Sequence, residues 1–328
     1  MIITPKELYD QKKDLLIVDI RPSNQRNETP LNGINSIVCE NGEVSNIKEK
    51  KVLVCQYGIV TEGLIIEDDL QNTFSLLGGA EAWNEFRKEQ KDLSQWSRQT
   101  VLPEIGIEGQ KKILNAKISI VGMGGLGCPA SQSLLVAGIG SLHLIDNDTV
   151  SLSNLHRQPL FSQEDIDNKK VIVAKKKLSK LNPEVSIKIS DTFLDEKNAY
   201  SLLSNSDVII DATDNIKSRQ LIDKISKELN IPMIYGGLYR FEGQVSVFNV
   251  DGSPGYSELF PDLPSAGDAC ADAGVLGALP GIIGNIQALE TLKLIVGIEP
   301  ILIGKILIYD GTVSYTHLRA HETLRYLV

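Results

Sequence analysis

Between residues 117 and 235, apolar and polar positions keep a regular beat. Short apolar-rich runs at 117–121, 141–145, 185–189, 207–210 and 232–235 alternate with longer periodic stretches at about 130–137, 171–181, 196–203 and 216–229. The short runs read as strands and the longer stretches as helices, which predicts right-handed βαβ crossovers and a mostly parallel sheet. After Tyr235 the beat changes. Residues 244–248 (QVSVF) read as an antiparallel excursion, a long loop runs to Gly274, and a strand at 305–309 closes the unit. The apolar stretch 274–298 contains Pro280, Gln287, Glu290 and Lys293, so it predicts a buried helix and not a bilayer span.

Ahead of this region, Thr4 and Pro5 mark a helix start. Strand-like runs follow at 15–18 and 52–54, and a Gly78-Gly79 turn leads into a helix with Trp83 and Phe86. Residues 85–97 are polar and carry no apolar stripe, which predicts a linker with a boundary near 92. Residues 313–323 have no amphipathic period and hold two of the four His. They read as adapter-derived read-through and are set outside the fold. The expected division is therefore 1–92, a small α/β domain; 93–312, a Rossmann-like domain with an antiparallel C-terminal extension; and 313–328, a non-native tail.

Composition narrows the classes. The chain has 33 Lys and Arg against 42 Asp and Glu, a net charge of -9, which argues against nucleic-acid and anionic-membrane partners. With 42% hydrophobic residues the chain can fill cores. None of the four cysteines lies in a CxxC pair, which argues against a disulfide framework and a thiolate zinc knuckle. The N-terminus has no signal-peptide-like apolar run, so a cytoplasmic location is expected.

The sequence GMGGLG at 122–127 follows a strand and opens a helix, where small residues let the backbone approach a phosphate. Asp146 ends the next strand, in place for ribose hydroxyls. Alone, these features suggest an NAD(P)-dependent oxidoreductase. Three further clusters fall on the same rim outside strand C-termini: Asn154 to Gln158, Lys170 at a helix start, and Asp211 to Asn215. Arg157 and Lys170 are more cation than a dinucleotide needs but suit a triphosphate attacked at its α-phosphorus, and Asp214 offers a hard oxygen for Mg²⁺. Asn215 also suits the cap of the next helix. A scaffold that binds nucleotide without turnover is the third reading.

GMGGLG, the run DNDTVSLSNLHRQ, the lysine pair 169–170, DATDN, GQVSVF and GVLGALPGIIGNIQALETLK together resemble the ThiF/MoeB/HesA family, bacterial relatives of ubiquitin-activating enzymes, over about residues 96–311. The resemblance implies ATP-dependent adenylation of the C-terminal glycine of a small ubiquitin-like sulfur-carrier protein (MoaD or ThiS type), in molybdopterin or thiamine biosynthesis. By position it implies that Gly122, Gly124, Gly125 and Gly127 form the phosphate turn and that Asp146 holds the ribose. Ser153, Asn154, Arg157, Lys170 and Asn215 line the nucleotide, and Asp214 holds Mg²⁺. Arg98 matches an arginine that reaches into a neighbouring subunit's site, which implies a homodimer.

Cys270 matches a crossover-loop cysteine that in some members joins covalently to the carrier or its sulfur. Asp268 and Asp272 would oppose an activated thiolate, and both readings stay open. The family's two CxxC pairs are missing, with Gly255 and Glu258 at the first, so no zinc is expected. Residues 3–88 resemble a rhodanese-like domain through Asp19 to Pro22, Cys55 to Gly58 and Leu77 to Trp83. Cys55 falls on the position of the persulfide, which would make a sulfur donor such as a cysteine desulfurase a partner. The loop that follows offers Glu62 and no cation, pointing to a degenerate docking domain rather than a working sulfurtransferase.

Overall fold

The computed structural model describes residues 1–39, 41–89, 92–261, 274–299 and 301–320. The chain forms two units, Met1–Leu93 and Ser94–Val328. In the first, strands β1(Ile2–Ile3), β2(Leu16–Asp19), β3(Ile37–Val38), β4(Lys51–Val54) and β5(Thr73–Leu76) make a parallel sheet in the order β1-β5-β4-β2-β3. Helices α1(Pro5–Gln11), α2(Ser23–Glu28), α3(Ile59–Glu67) and α4(Gly79–Glu89) connect them. Thr4 caps α1 in a capping box with Glu7, as its sequence implies. Trp83 is fully buried among Ile17, Val52, Val54 and Leu76, and its indole N–H donates to the carbonyl of Asn32.

The second unit opens with the short helix α5(Ser97–Thr100) and is an α/β fold with a mostly parallel sheet. Its strands are β6(Lys117–Val121), β7(Ser141–Ile145), β8(Ser186–Ser190), β9(Val208–Asp211), β10(Met233–Tyr239), β11(Glu242–Phe248), β12(Lys305–Asp310) and β13(Tyr315–Ala320). They lie in the order β13-β12-β11-β10-β9-β6-β7-β8, parallel from β10 to β8 and antiparallel from β10 to β13. Alternate residues of the central strands feed two cores. Ile118, Ile120, Leu144 and Ile210 join one with residues of α6(Gly106–Asn115), α7(Gly127–Ala137), α8(Lys170–Leu181) and α12(Ala278–Val296). Val121, Ile145, Ile209 and Met233 join the other with residues of α9(Ala199–Leu203), α10(Ile216–Leu229) and α11(Tyr256–Leu259). The helix α12 is long and apolar enough to cross a membrane, yet it buries Leu279, Ile283, Gln287 and Thr291 within this unit.

Two expectations need correction. The stretch 85–97 is not all linker. Helix α4 continues to Glu89, and Trp96, 3% exposed, belongs to the second unit, where its indole N–H donates to the carbonyl of Val136. Nor does the whole tail stand outside the fold: Tyr315–Ala320 pairs with β12, because a backbone ladder needs no amphipathic period. Residues 321–328 lie outside the described residues.

Candidate functional site

The parallel register levels the strand ends. Val121 stands opposite Ile145 and Asp211, Ile145 opposite Ser190, and Asp211 opposite Tyr235. The residues that follow each strand therefore share one rim, where ligands of open α/β sheets bind.

At its centre the chain turns from β6 into α7. Gly122 has φ 97°, and a methyl group there would stand 2.6 Å from the carbonyl oxygen of Ala212. At Gly127 the added carbon would lie 2.0 Å from the Gly122 carbonyl oxygen, so the helix starts flush against the strand end. The N–H groups of Gly124, Gly125 and Leu126 donate to nothing among the described residues, and they sit where a helix N-terminus favours an anion. Asp146 closes the turn from the side. Its carboxylate accepts the Met123 N–H at 2.6 Å and the Asp148 N–H at 2.7 Å. Burial pushes this carboxyl above the usual range against the pull of Lys170 and the two N–H donors. Each oxygen keeps a lone pair for a ribose hydroxyl.

The segment 151–158 packs over the turn: the Arg157 carbonyl oxygen lies 3.5 Å from where a methyl group on Gly125 would be. The Asn154 side chain accepts the Ser151 N–H in a tight 3₁₀ turn, and Ser153 shares a hydroxyl contact of 3.0 Å with Ser151. Arg157 is half-buried and donates to the Ser153 carbonyl at 2.8 Å, with His156 Nε2 2.9 Å from the same Nη1. Lys170 opens α8. It is 5% exposed, and its ammonium donates to Asp148 at 2.8 Å. Gln158, 2% exposed, ends the segment beside Gly124 with its Oε1 unpartnered. Gln158 lies within the cluster 154–158, but nothing local in the sequence marks it as buried.

On the other side of the turn β9 ends at Asp211 and α10 begins at Ile216. Asn215 caps α10 by accepting the Ser218 N–H at 2.8 Å, so its side chain is committed to the helix. Asp214 is exposed, and its carboxylate makes no hydrogen bond or ion pair among the described residues. One free carboxylate on a rim of N–H groups and cations fits Mg²⁺ only as part of a metal–triphosphate whose phosphates and waters complete the octahedron. Among the described residues no three His, Cys, Asp or Glu gather as a metal set.

Some expected residues are not brought to this rim. Arg98 follows Trp96, which packs at Gly138, the far end of α7. The helix has 11 residues, so the end where Trp96 packs is roughly 16 Å from the glycine turn. Cys270 with Asp268 and Asp272 lies outside the described residues. At Gly255 and Glu258 the start of α11 is held by Asp223, which accepts the N–H groups of Tyr256 and Ser257, and Lys227 pairs with Glu258. Cys128 is buried in α7, and that burial pushes its thiol up to about 12, which suits a packing residue. Cys55, in the front unit, is 5% exposed at the start of α3, with its sulfur accepting the Gly58 N–H at 3.1 Å. Beside it, Asp19 and Arg21 form a buried pair, and Arg21 donates on to Gln56.

The profile of the ThiF family matches residues 96–324 and so does not reach the front unit. A probable molybdopterin-synthase adenylyltransferase of Porphyra purpurea is 41% identical over 237 residues, covering 71% of this chain and 62% of the relative. Adenylyltransferase and sulfurtransferase MOCS3 of Drosophila sechellia is 43% identical over 223 residues, 67% of this chain and 49% of its own. The chain thus spans half to three-fifths of the length of these two relatives. The sulfur carrier protein adenylyltransferase of Thermus thermophilus is 39% identical over 232 residues and is covered to 86%, as is 69% of this chain. Among solved structures, PaaA superposes with a TM-score of 0.61 at 26% identity, covering 73% of this chain and 80% of that one. The fold of E. coli MccB, crystallised with ATP, matches with a TM-score of 0.62 at 22% identity, over 74% and 78% of the two chains. On its glycine turn, its level rim and these matches, the chain belongs to the ThiF family.

Proposed function

We propose that this protein uses ATP to adenylate the C-terminal glycine of a small ubiquitin-like sulfur-carrier protein. A carboxylate oxygen of the carrier attacks the α-phosphorus, the bond to the β-phosphate oxygen breaks, and pyrophosphate leaves behind an acyl-adenylate. The observation that carries this reading is the level rim: the N–H groups of Gly124, Gly125 and Leu126 and the Asp214 carboxylate, all without a partner among the described residues, and two cations from Arg157 and Lys170. Such a transition state is stabilised by fixed charge rather than by covalent catalysis. The glycine turn would take phosphate oxygens, Asp146 the ribose, and Arg157 and Lys170 the charge that grows on the leaving pyrophosphate. Mg²⁺, held by Asp214, would neutralise part of that charge. Arg98, far from its own rim, serves the site of a second copy in a homodimer. The names of the Porphyra, Drosophila and Thermus relatives support the substrate class and a role in molybdopterin biosynthesis.

ATP–pyrophosphate exchange with MoaD-type and ThiS-type carriers tests the reading. Exchange that requires a carrier supports it. Silence with every carrier, or tight reduced-nicotinamide binding that ATP does not displace, overturns it.

For the front unit, where Glu62 in place of a cation points to docking, we infer in addition a sulfur-handling role at Cys55, supported by the Gly58 N–H on its sulfur and by its place at a helix N-terminus. Incubation with a sulfur donor, followed by intact-mass detection of a persulfide lost in Cys55→Ser, tests it. Absence of any persulfide favours a docking role alone.

A further inference from the structure

Beneath Asp214 lies a buried polar cluster that no step above uses. Asp211 and Gln287 are fully buried, and Arg219 is 9% exposed. The three converge on Thr213, the residue before Asp214, and on the strand ends beside it. The Asp211 carboxylate accepts the Thr213 N–H at 2.9 Å and the Thr213 hydroxyl at 2.6 Å. Arg219 donates to the Thr213 carbonyl at 2.8 Å and to the Gly236 carbonyl at 3.2 Å. From the opposite face of the sheet Gln287 donates to the carbonyls of Asp211 and Ile234, at 2.7 and 3.2 Å. Thr213 is therefore tied through its N–H, its hydroxyl and its carbonyl, while Asn215 is tied as the cap of α10. Asp214 sits between two fixed residues with its own carboxylate unpartnered among the described residues.

This arrangement is poorly suited to stability alone. Asp211 and Arg219 approach to 3.4 Å, yet Asp211 Oδ2 and Arg219 Nε make no hydrogen bond. A buried pair of that kind is often matched in stability by apolar residues of similar volume, because desolvation offsets the attraction. What apolar residues could not supply is a guanidinium whose Nη2 donates to the Thr213 and Gly236 carbonyls together.

We propose that Arg219 is a positioning residue of the nucleotide site: paired with Asp211, it locks Thr213 and thereby holds the Asp214 carboxylate where the metal–triphosphate arrives. The proposal rests on the reading above that Asp214 receives that metal. It acts through Asp214 and needs no contact between Arg219 and nucleotide.

The test is calorimetric titration of ATP into the full chain over a series of Mg²⁺ concentrations and in chelator, with a melting curve for each protein. Five proteins are compared: native, Asp214→Asn, Arg219→Lys, the double variant Asp211→Asn/Arg219→Met, and the triple variant that adds Asp214→Asn to it. The double variant removes both buried charges together, so it stays folded even where a single change leaves one charge stranded. Asp214→Asn is expected to raise the Mg²⁺ concentration for half-maximal ATP binding about tenfold. Arg219→Lys and the double variant raise it in the same direction by about five- to tenfold. Adding Asp214→Asn to the double variant raises it no further, and binding in chelator is unchanged in Arg219→Lys and in the double variant. A folded double variant with the native Mg²⁺ requirement overturns the positioning role while leaving Asp214 in place. A native requirement in Asp214→Asn overturns the metal reading, and the positioning role with it.

Discussion

Replacing Lys170 by methionine separates its part in catalysis from its part in folding, because the two are of different size. The lysine side chain is 6% exposed and its partner Asp148 is 63% exposed. Methionine keeps most of the buried stem and removes the ammonium. Asp148 is then left in water, where losing one ion-pair partner costs about 1 kcal/mol or less. For a unit of this size that moves the melting point by about 2–4 °C. The effect on adenylation is larger. If Lys170 meets charge that develops on the phosphates, its loss resembles the loss of one preorganised donor, about 10²–10³-fold or ~3–4 kcal/mol. Carrier-dependent pyrophosphate exchange at saturating ATP, read beside a thermal melt, measures both. Exchange within about threefold of native in a normally melting variant would refute the assignment, since Lys170 would then be only the partner of Asp148.

Further outcomes follow from other contacts. Arg157→Ala should fold normally and lose about 10²-fold in exchange, checked by the same assay and a far-UV spectrum. Gly127→Ala places a carbon 2.0 Å from the Gly122 carbonyl, so equilibrium unfolding should show a loss of about 1–3 kcal/mol, with ATP binding lost in calorimetry. Cys55→Ser should lose persulfide formation while pyrophosphate exchange continues; loss of exchange would show that the two units do not divide the chemistry. His143 carries a pH signature. Burial and Lys188 lower its pKa to about 4, against the hydrogen bond to the Leu202 carbonyl. The unfolded chain takes up the proton near 6.5 and the folded one only near 4, so stability falls as pH drops through that window and is fully present above it. Acid melts of His143→Gln should be flatter between pH 6.5 and 4 than those of the native protein.

Much of the site is legible in the sequence because its signals are local. The glycines at 122 and 127 answer to close backbone approaches that no side chain survives, and Asp146, Lys170 and Asp214 each sit where a strand or helix begins or ends. The beat of 117–235 gives the parallel sheet for the same reason. What stays hidden is set by residues far apart in the chain. Arg219 and Gln287 lie on different helices and meet only across the ends of β9 and β10, so neither is marked by its neighbours. Strand β5 is not marked in the sequence, because Thr73 and Ser75 interrupt its apolar positions; in the fold Ser75 donates to the Gly58 carbonyl. Helix α6 escapes notice because a glycine stands inside it and its buried stripe includes Gln110, which donates to the Ala137 carbonyl. In the segment 151–158, Gln158 is buried by tertiary packing alone.

The central claim is that a protein's terminal carboxylate is joined to AMP at this rim. Intact-mass spectrometry of MoaD-type and ThiS-type carriers, after brief incubation with the protein, ATP and Mg²⁺, tests it most directly. The account requires one carrier to gain a single adenylyl group, and to fail to do so with Lys170→Met. Carriers of unchanged mass beside a protein that demonstrably binds ATP would contradict it.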